Sequence, residues 1–95
     1  MAAETSTRTV TVTNRHGLFT RPCIDVAKIV RSFNAEVLIQ NTDVTVNATE
    51  ILGLLSLGAT EGTELILSAK GPQAEEVLEA LVHLFNVTFR DNYSA

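Results

Sequence analysis

Apolar and polar residues alternate along three short stretches of this chain, and each stretch predicts a half-buried β-strand. In the first stretch, Val10 and Val12 fall on one side and threonines fall on the other. A turn at 41–43 followed by apolar residues within 44–46 adds a short fourth strand. The three alternating stretches are residues 7–13, 35–40 and 63–68.

A longer stretch, residues 20–33, carries apolar residues at spacings of three and four, which predicts an amphipathic helix. Pro22 is tolerated only in the first turn, where its missing N–H would have no partner anyway. Thr20 is therefore placed to cap the start of this helix. Asn34 is a candidate for a left-handed residue that ends it.

Two further helices are predicted in the second half of the chain. A short one covers about residues 50–57, with cap candidates at 47–49, and Gly58 ends it. The last helix opens at Gly71-Pro72 and carries Glu residues in its first turn, where they suit the helix dipole. The residues from Val87 to Ala95 are expected to form an irregular tail.

The predicted order is strand, helix, strand, strand, helix, strand, helix. All the strands are half-apolar, so one face of the sheet is expected to carry the helices and the other to face water. The fold class is therefore α+β: a two-layer open-faced sandwich with a four-stranded antiparallel sheet and three helices on one face. Its 95 residues form a single domain, residues 1–95, with a core of about 7–86 and flexible ends.

Composition excludes several classes of function. The net charge is −4 and no cluster of Lys and Arg is visible, so nucleic acid is not an expected partner. The apolar run 51–57 is far shorter than the ~20 residues of a membrane helix, and residues 1–6 show no signal peptide. A single cysteine, Cys23, excludes an internal disulfide and fits a cytoplasmic location. Two histidines and one cysteine at scattered positions give no metal site, and no cofactor is expected.

The most informative stretch joins the first strand to the first helix. It resembles the active-site signature of the HPr family, the small histidine phosphocarriers of the bacterial phosphotransferase system. That signature reads Asn, two variable residues, Gly, a branched aliphatic residue, His, a small residue, Arg, Pro and a small residue. Here Phe19 stands where the family has its phosphorylated His, and a phenyl ring has no lone pair to accept a phosphoryl group. The stretch reads Asn14-Arg15-His16-Gly17-Leu18-Phe19-Thr20-Arg21-Pro22-Cys23.

Two further stretches and the order of elements also resemble this family, so that the resemblance covers about residues 7–86. Residues 46–55 are similar to the family's regulatory segment, and residues 61–64 resemble its turn into the last strand. In some lineages a serine of the regulatory segment is phosphorylated by a dedicated kinase, and Glu50 stands at that position here. Glu50 is then either a fixed negative charge in place of phosphoserine or simply a favourable residue in a first helical turn.

The resemblance implies an anion-binding site and a partner-binding surface. Thr20 and Arg21, with the N–H groups of the helix start, match the place where the family holds its phosphoryl group. The alternative is that Arg21 is a solvated residue on a helix end and that Thr20 acts only as a cap. The family contacts its partners through positions that correspond to Phe19, Ile51, Leu52 and Leu55. The expected partners are enzyme I-like and enzyme IIA-like proteins of the phosphotransferase system or a regulatory protein.

Three hypotheses for function follow. The first is a regulatory or docking module that cannot carry phosphate at the usual position and is not an enzyme. The second is a working phosphocarrier with a different nucleophile, chiefly His16, whose imidazole could accept a phosphoryl group near neutral pH. The third is a domain kept only as a structural paralogue. His83 and Cys23 are expected to be structural residues.

Overall fold

A computed structural model describes residues 5–89 of the chain and confirms the predicted sandwich. The four strands and three helices follow the expected order, and a short π-helical segment, Leu84–Thr88, continues the last helix. Their bounds are β1 Ser6–Thr11, α1 Thr20–Arg31, β2 Glu36–Asn41, β3 Val44–Asn47, α2 Ile51–Ser56, β4 Glu64–Lys70 and α3 Ala74–His83.

The sheet is entirely antiparallel, with strand order β1-β4-β2-β3. β4 therefore lies inside the sheet between β1 and β2, and β1 and β3 form the two edges. The register pairs Val10 with Leu65 and Ile39 with Leu67. These aliphatic side chains share the face that the helices cover, and all four are buried.

The hydrophobic core lies between this face of the sheet and the helices. Val26 and Val30 contribute from α1, Leu54 from α2, and Leu78 and Leu81 from α3. Each of these side chains is at most 2% exposed. The 3.6-residue period of α1 thus places its apolar stripe where the sequence predicted.

The termini of α1 differ from the prediction. Thr20 is the first helical residue, and the N-cap is Phe19, without a side-chain cap hydrogen bond, so the assignment of Thr20 as the cap is wrong. The helix ends two residues earlier than expected, at Arg31. The Ser32 N–H there donates to the Ile29 carbonyl at 3.0 Å and the Phe33 N–H to the Val30 carbonyl at 3.2 Å, while the backbone of Ser32 stays right-handed. Asn34 is not a left-handed stop, because this tighter last turn already uses the free carbonyls.

The other predicted helix stops are partly confirmed. Gly58 has a φ of 61° after α2, as expected for a left-handed residue at a helix end. At the other end of the chain, α3 begins at Ala74 rather than at Gly71-Pro72, with Gln73 as its N-cap. Glu75 and Glu76 do occupy its first turn.

The expected irregular tail from Val87 onward is wrong for the residues that the structure describes. Val87 and Thr88 belong to the π-helical segment, and Phe89 is fully buried with its ring centroid 5.0 Å from that of Phe85. The aromatic ring of Phe89 extends the core past the expected boundary at residue 86. The remainder of the predicted tail, residues 90–95, lies outside the described residues.

No helix between residues 5 and 89 combines the length and apolar character that crossing a membrane requires.

Candidate functional site

The loop that leads into α1 is fixed by a buried polar anchor. The Asn14 side chain is fully buried, and its Nδ2 donates to the carbonyl of Gly17. The N–H of Gly17 in turn donates to the Asn14 carbonyl at 3.1 Å. The N–H of Leu18 donates to the Ala59 carbonyl at 2.9 Å, which ties the loop to the segment before β4. The backbone just before residue 19 is therefore held by hydrogen bonds to Asn14 and to Ala59.

Gly17 is required by this geometry for two reasons. Its φ is 68°, in the left-handed region that side chains disfavour. A Cβ at this position would also lie 2.3 Å from the carbonyl oxygen of Ala59, far inside van der Waals contact. The close approach of the loop to Ala59 thus depends on the absence of a side chain.

Phe19 lies at the point where the loop becomes helix. Its backbone is extended, with φ −103° and ψ −170°, and its carbonyl accepts the first helical hydrogen bond, from the Cys23 N–H at 3.2 Å. Its side chain is 37% exposed, an unusual position for a phenyl ring. The N-cap geometry thus presents the side chain of residue 19 at the positive end of the α1 dipole.

The start of α1 has the features of an anion site. Thr20 and Arg21 are both exposed, and the first turn contains no acidic residue. Between residues 5 and 89, no acceptor is found for the amide N–H groups of Thr20 and Arg21. Pro22 has no N–H to offer. As far as residues 5–89 show, these two amide donors, a guanidinium and a hydroxyl are therefore available for an anion.

His16 lies beside Phe19 in this structure. Their ring centroids are 6.2 Å apart, with the planes at 88°, an edge-to-face contact. His16 is exposed, as is Arg15 before it. The loop thus brings the alternative nucleophile close to the position that the family signature gives to its His.

The predicted partner-binding residues on α2 are unequally exposed. Leu52 is 82% exposed, whereas Ile51 and Leu55 are half-buried and pack against the core. Leu54 and Leu57 fill the core, so they account for the rest of the apolar run. Of the three α2 residues that the sequence predicts to bind partners, Leu52 is therefore the most exposed.

The sequence predicts that Lys28 and Arg31 share a face of α1, and the structure extends this exposed face to Arg21 and Ile24. We call these four residues the basic stripe. All four are exposed, and their spacing of three, four and three places them on one helical face. Arg31 Nη2 also donates to the Thr49 carbonyl at 2.9 Å, which brings the end of the stripe to the start of α2. The spacing of three, four and three residues from Arg21 is the sequence signal that could have predicted the whole stripe.

Glu50 is the N-cap of α2 and is exposed. Its backbone is extended and its side chain makes no cap hydrogen bond, so the cap candidates at 47–49 are not caps. Asn47 instead forms a local turn, its Oδ1 accepting from the N–H and the hydroxyl of Thr49 at 2.9 and 2.7 Å. The exposed Glu50 therefore follows directly after Thr49, whose carbonyl accepts from Arg31 of the basic stripe.

The two remaining candidates, Cys23 and His83, differ in burial. Cys23 is fully buried, and burial raises the pKa of its thiol to about 11, so it is protonated at neutral pH. His83 is exposed at the end of α3 and lines a surface depression formed with Arg8, Glu79 and Val82. Within the described part of the chain, no group of three or more His, Cys, Asp and Glu side chains could hold a metal ion.

Comparison with known proteins agrees with this fold. The model of the family described as "PTS HPr component phosphorylation site" matches residues 6–87. The chain therefore belongs to the HPr family of the phosphotransferase system.

Individual relatives support the assignment. The phosphocarrier protein NPr of Escherichia coli K12 is 36% identical over 86 residues, which cover 90% of this chain and 96% of that protein. The crystal structure of the phosphocarrier protein HPr of Bacillus anthracis superposes with a TM-score of 0.82 at 32% identity, over 86% of this chain and 98% of that one. The catabolite repression protein Crh of Bacillus subtilis, crystallised as a swapped dimer, matches with a TM-score of 0.67 at 35% identity, over 78% and 85% of the two chains.

Proposed function

We propose that this protein is a docking or regulatory member of the phosphotransferase system that does not carry a phosphoryl group at the family's usual position. The observation that carries the proposal is the N-cap of α1. Phe19 occupies it, with the buried Asn14 anchor and the Gly17 turn both intact around it. A phenyl ring cannot form a phosphoramidate, so the frame presents a hydrophobic contact where the family presents a nucleophile.

The charge distribution supports a docking role. The chain as a whole has a net charge of −4, yet the exposed face of α1 carries Arg21, Lys28 and Arg31. Ile24 is 38% exposed in the middle of the basic stripe, and Leu52 lies on the neighbouring helix. A surface with apolar residues among bases fits a partner whose contact face is apolar at the centre and acidic around it.

The α1 entrance would bind an anion without covalent chemistry. Thr20 and Arg21 supply the hydroxyl and guanidinium groups, and their amide N–H groups have no acceptor within the described residues. The ligand class is a phosphate group or a carboxylate carried by the partner. A docking protein of this kind would bind the partner's anionic group beside Phe19 without forming a covalent bond to it.

Glu50 is proposed as a fixed charge at the regulatory position. It is exposed at the N-cap of α2, so its carboxylate faces a docking partner. Glutamate has no hydroxyl that a serine kinase could modify. A partner that recognises a negative charge here would therefore meet it permanently, and a kinase could not switch it.

The expected partners are the enzyme I-like and enzyme IIA-like proteins of the same cell, or a regulatory protein, in the cytoplasm. Binding of each candidate would be measured by calorimetry with the native chain, with Lys28→Glu and with Lys70→Glu. Lys28 lies in the basic stripe, whereas Lys70 is an exposed base at the end of β4. Lys28→Glu should weaken binding about tenfold or more, and Lys70→Glu should change it by less than about twofold.

Equal effects of the two substitutions would contradict docking through the basic stripe. Failure of the native chain to bind any of these partners would favour the third hypothesis, a domain kept only as a structural paralogue. The same titrations with Leu52→Asp test the apolar part of the surface, because Leu52 is too exposed to contribute to folding.

A second candidate function is phosphotransfer through His16. The observation that favours it is the 6.2 Å separation between the His16 and Phe19 rings, with His16 exposed to a donor. After incubation with enzyme I and phosphoenolpyruvate, an acid-labile phosphoryl group that His16→Ala abolishes would establish this function. A native chain that stays unmodified under conditions that phosphorylate an ordinary HPr would exclude it.

A further inference from the structure

The two edges of the sheet differ in length and in protection. β1 presents six residues in an unbroken register with β4, whereas β3 presents four residues at the other edge. Natural edge strands are usually short, bulged or marked with proline or lysine, because their unpaired backbone groups can recruit another strand. β1 has no bulge in its register and contains neither proline nor lysine. It is therefore an edge that could accept a further strand.

The alternation of hydrogen bonds along β1 identifies the backbone groups that face outward. The Val12 N–H donates to the Thr63 carbonyl, and the Val12 carbonyl accepts from the Gly62 N–H, so both groups of Val12 face the β4 side. In an antiparallel sheet, successive residues of a strand bond alternately to one side and to the other. Thr9 and Thr11 therefore direct their N–H and carbonyl groups away from β4. No partner for these four groups is found in the described part of the chain.

α3 and the π-helical segment run beside this edge along its length. At one end, the Arg8 guanidinium forms an ion pair with the Glu75 carboxylate. At the other end, the Thr13 hydroxyl donates to the Phe85 carbonyl at 2.8 Å. Between these two contacts the helix rises about 15 Å and the strand extends about 17 Å, so the two elements keep pace and run in the same direction.

A depression of about 370 Å³ lies between β1 and these helical turns. Val82 is half-buried in it and Val87 is 42% exposed, which makes part of its lining apolar. Glu79 also lines it, and among the residues that the structure describes no base lies within 4 Å of the Glu79 carboxylate. The charge of Arg8, by contrast, is already paired with Glu75. The depression therefore offers an apolar part and an uncompensated carboxylate.

These two parts are spaced like alternate side chains of a β-strand. At a rise of about 1.5 Å per residue, the midpoint between Val82 and Val87 lies about 8 Å along the helix from Glu79. Alternate residues of a strand point to the same side and are about 7 Å apart. A strand added to β1 would therefore place one side chain between the valines and the next side chain on that side beside Glu79.

We propose that the β1 edge and this depression bind an extended segment of a partner protein, which adds to the sheet as a fifth strand. An extended backbone supplies donors and acceptors at the spacing of Thr9 and Thr11, and pockets beside a sheet edge select alternate side chains. Antiparallel pairing is the more stable, and α3 runs in the direction of β1, so the added strand meets the valines before Glu79. Its sequence is therefore an apolar residue, any residue, and then a lysine or arginine.

This surface is distinct from the one proposed on α1 and α2. None of its residues belongs to the basic stripe, and the charge that it selects is the opposite one. The basic stripe suits an acidic partner surface, whereas Glu79 suits a basic side chain.

NMR titration of the native chain with two synthetic peptides tests the proposal. Both peptides are threonine-rich, about seven residues long and identical in composition. In the first, leucine precedes lysine by two residues, and in the second the two are exchanged. The first peptide should shift the amide signals of Thr9 and Thr11, slow their exchange with water, and bind about fivefold or more tightly than the second. Equal binding of the two peptides, or no shift at these amides, overturns the proposal.

Proline substitutions at the two edges test the backbone pairing. Thr9→Pro removes an N–H that faces outward, a position where edge strands tolerate proline, and should weaken binding of the first peptide about tenfold or more. Thr45→Pro is the matched control on β3, since the same alternation directs the Thr45 N–H outward at the other edge. It should leave binding unchanged, and equal losses for the two variants overturn the proposal.

Side-chain substitutions keep the test decisive if Thr9→Pro does not fold. Val87→Asp should weaken binding about tenfold, whereas Val44→Asp should leave it unchanged, because Val44 is 45% exposed but lies on β3.

The charge selection is tested on α3. Glu79→Lys should weaken binding of the first peptide about fivefold, and Glu76→Lys, an exposed position on α3 outside the depression, should not. A control that weakens binding as much as its counterpart overturns the proposal. So do shifts of the Thr9 and Thr11 amides that follow protein concentration without peptide, since these would assign the edge to a second copy of the chain.

Discussion

The entrances to α1 and α2 both begin at an extended N-cap residue but have different support. The N-cap residues, Phe19 and Glu50, both have a φ of −103°, an extended backbone and no side-chain cap hydrogen bond. The α1 entrance rests on a fully buried Asn14, whereas the α2 entrance rests on an exposed turn formed by Asn47. A buried side chain therefore stabilises the entrance to α1, and an exposed side chain stabilises the entrance to α2.

This comparison distinguishes the residues that support the backbone of a site from the residue that would carry its chemistry. The family resemblance assigns a phosphorylated residue to each of the two N-cap positions, a His at 19 and a Ser at 50. In this chain the two positions hold Phe19 and Glu50, and neither side chain can be phosphorylated in that way. We therefore expect substitutions of these exposed N-cap side chains to cost little stability, because the supporting contacts come from other residues.

The largest effect is expected at the buried support of α1. Gly17→Ala should destabilise the protein by about 3 kcal/mol or more, because a left-handed backbone and a clash with the Ala59 carbonyl act together. Gly58→Ala, after α2, has a similar φ of 61° but nothing within 4 Å of its Cβ, and should cost about 1 kcal/mol. Urea denaturation of both variants measures the difference, and equal losses would show that the close approach to Ala59 is not needed.

The thiol in the first turn of α1 should make stability depend on alkaline pH. Burial raises the pKa of Cys23 from 9.0 to about 11, so the folded state favours the neutral thiol. The stabilisation is therefore complete below about pH 9 and is lost as the pH rises through 11. The difference in unfolding free energy between the native chain and Cys23→Ala should fall by about 2–3 kcal/mol from pH 8 to pH 11. A difference that stays constant over this range would show that the thiol is accessible to water.

Two asparagines give a direct comparison of the two entrances. Asn14→Ala should cost about 1–2 kcal/mol, because it leaves a buried loop without the donor that holds the Gly17 carbonyl. Asn47→Ala removes two hydrogen bonds to Thr49, but in an exposed turn where water replaces them, and should cost about 0.5 kcal/mol. Chemical denaturation of the two variants under one condition settles the order, and a larger loss for Asn47→Ala would reverse the comparison.

The smallest effect is expected at the contact between the two entrances. Arg31→Gln removes the exposed hydrogen bond from the guanidinium to the Thr49 carbonyl, and should cost less than about 0.5 kcal/mol. Amide exchange at the start of α2 should rise slightly while exchange in α1 stays the same. If exchange rises throughout α1 as well, the two entrances depend on each other more than their contacts indicate.

Periodicity predicted most of the fold, because burial imposes it directly on the sequence. The alternation of Val10 and Val12 and of Leu65 and Leu67 identified the strands that pair as β1 and β4. The end of α3 was harder to predict, because Phe89 packs through a π-helical turn that shifts the period away from 3.6. The helix caps were also wrong, because Phe19 and Glu50 serve as N-caps without the side-chain bonds that mark preferred cap residues.

The candidate site was predicted in part for similar reasons. Its frame is local in sequence, so Asn14, Gly17 and Arg21 were visible in a ten-residue signature. The proximity of His16 to Phe19 depends on how the loop folds over Gly17, which no pattern of residues specifies. The position of the basic stripe beside α2 required the packing of two helices against one core.

The central claim is that the frame at α1 is intact while its phosphoryl acceptor is absent. Intact mass after incubation with enzyme I and phosphoenolpyruvate tests it, with the native chain, Phe19→His and the matched control Phe19→Ala side by side. The account predicts that Phe19→His alone gains an acid-labile phosphoryl group, because the frame then presents an imidazole at the N-cap. A phosphoryl group on the native chain, or none on Phe19→His, would contradict it.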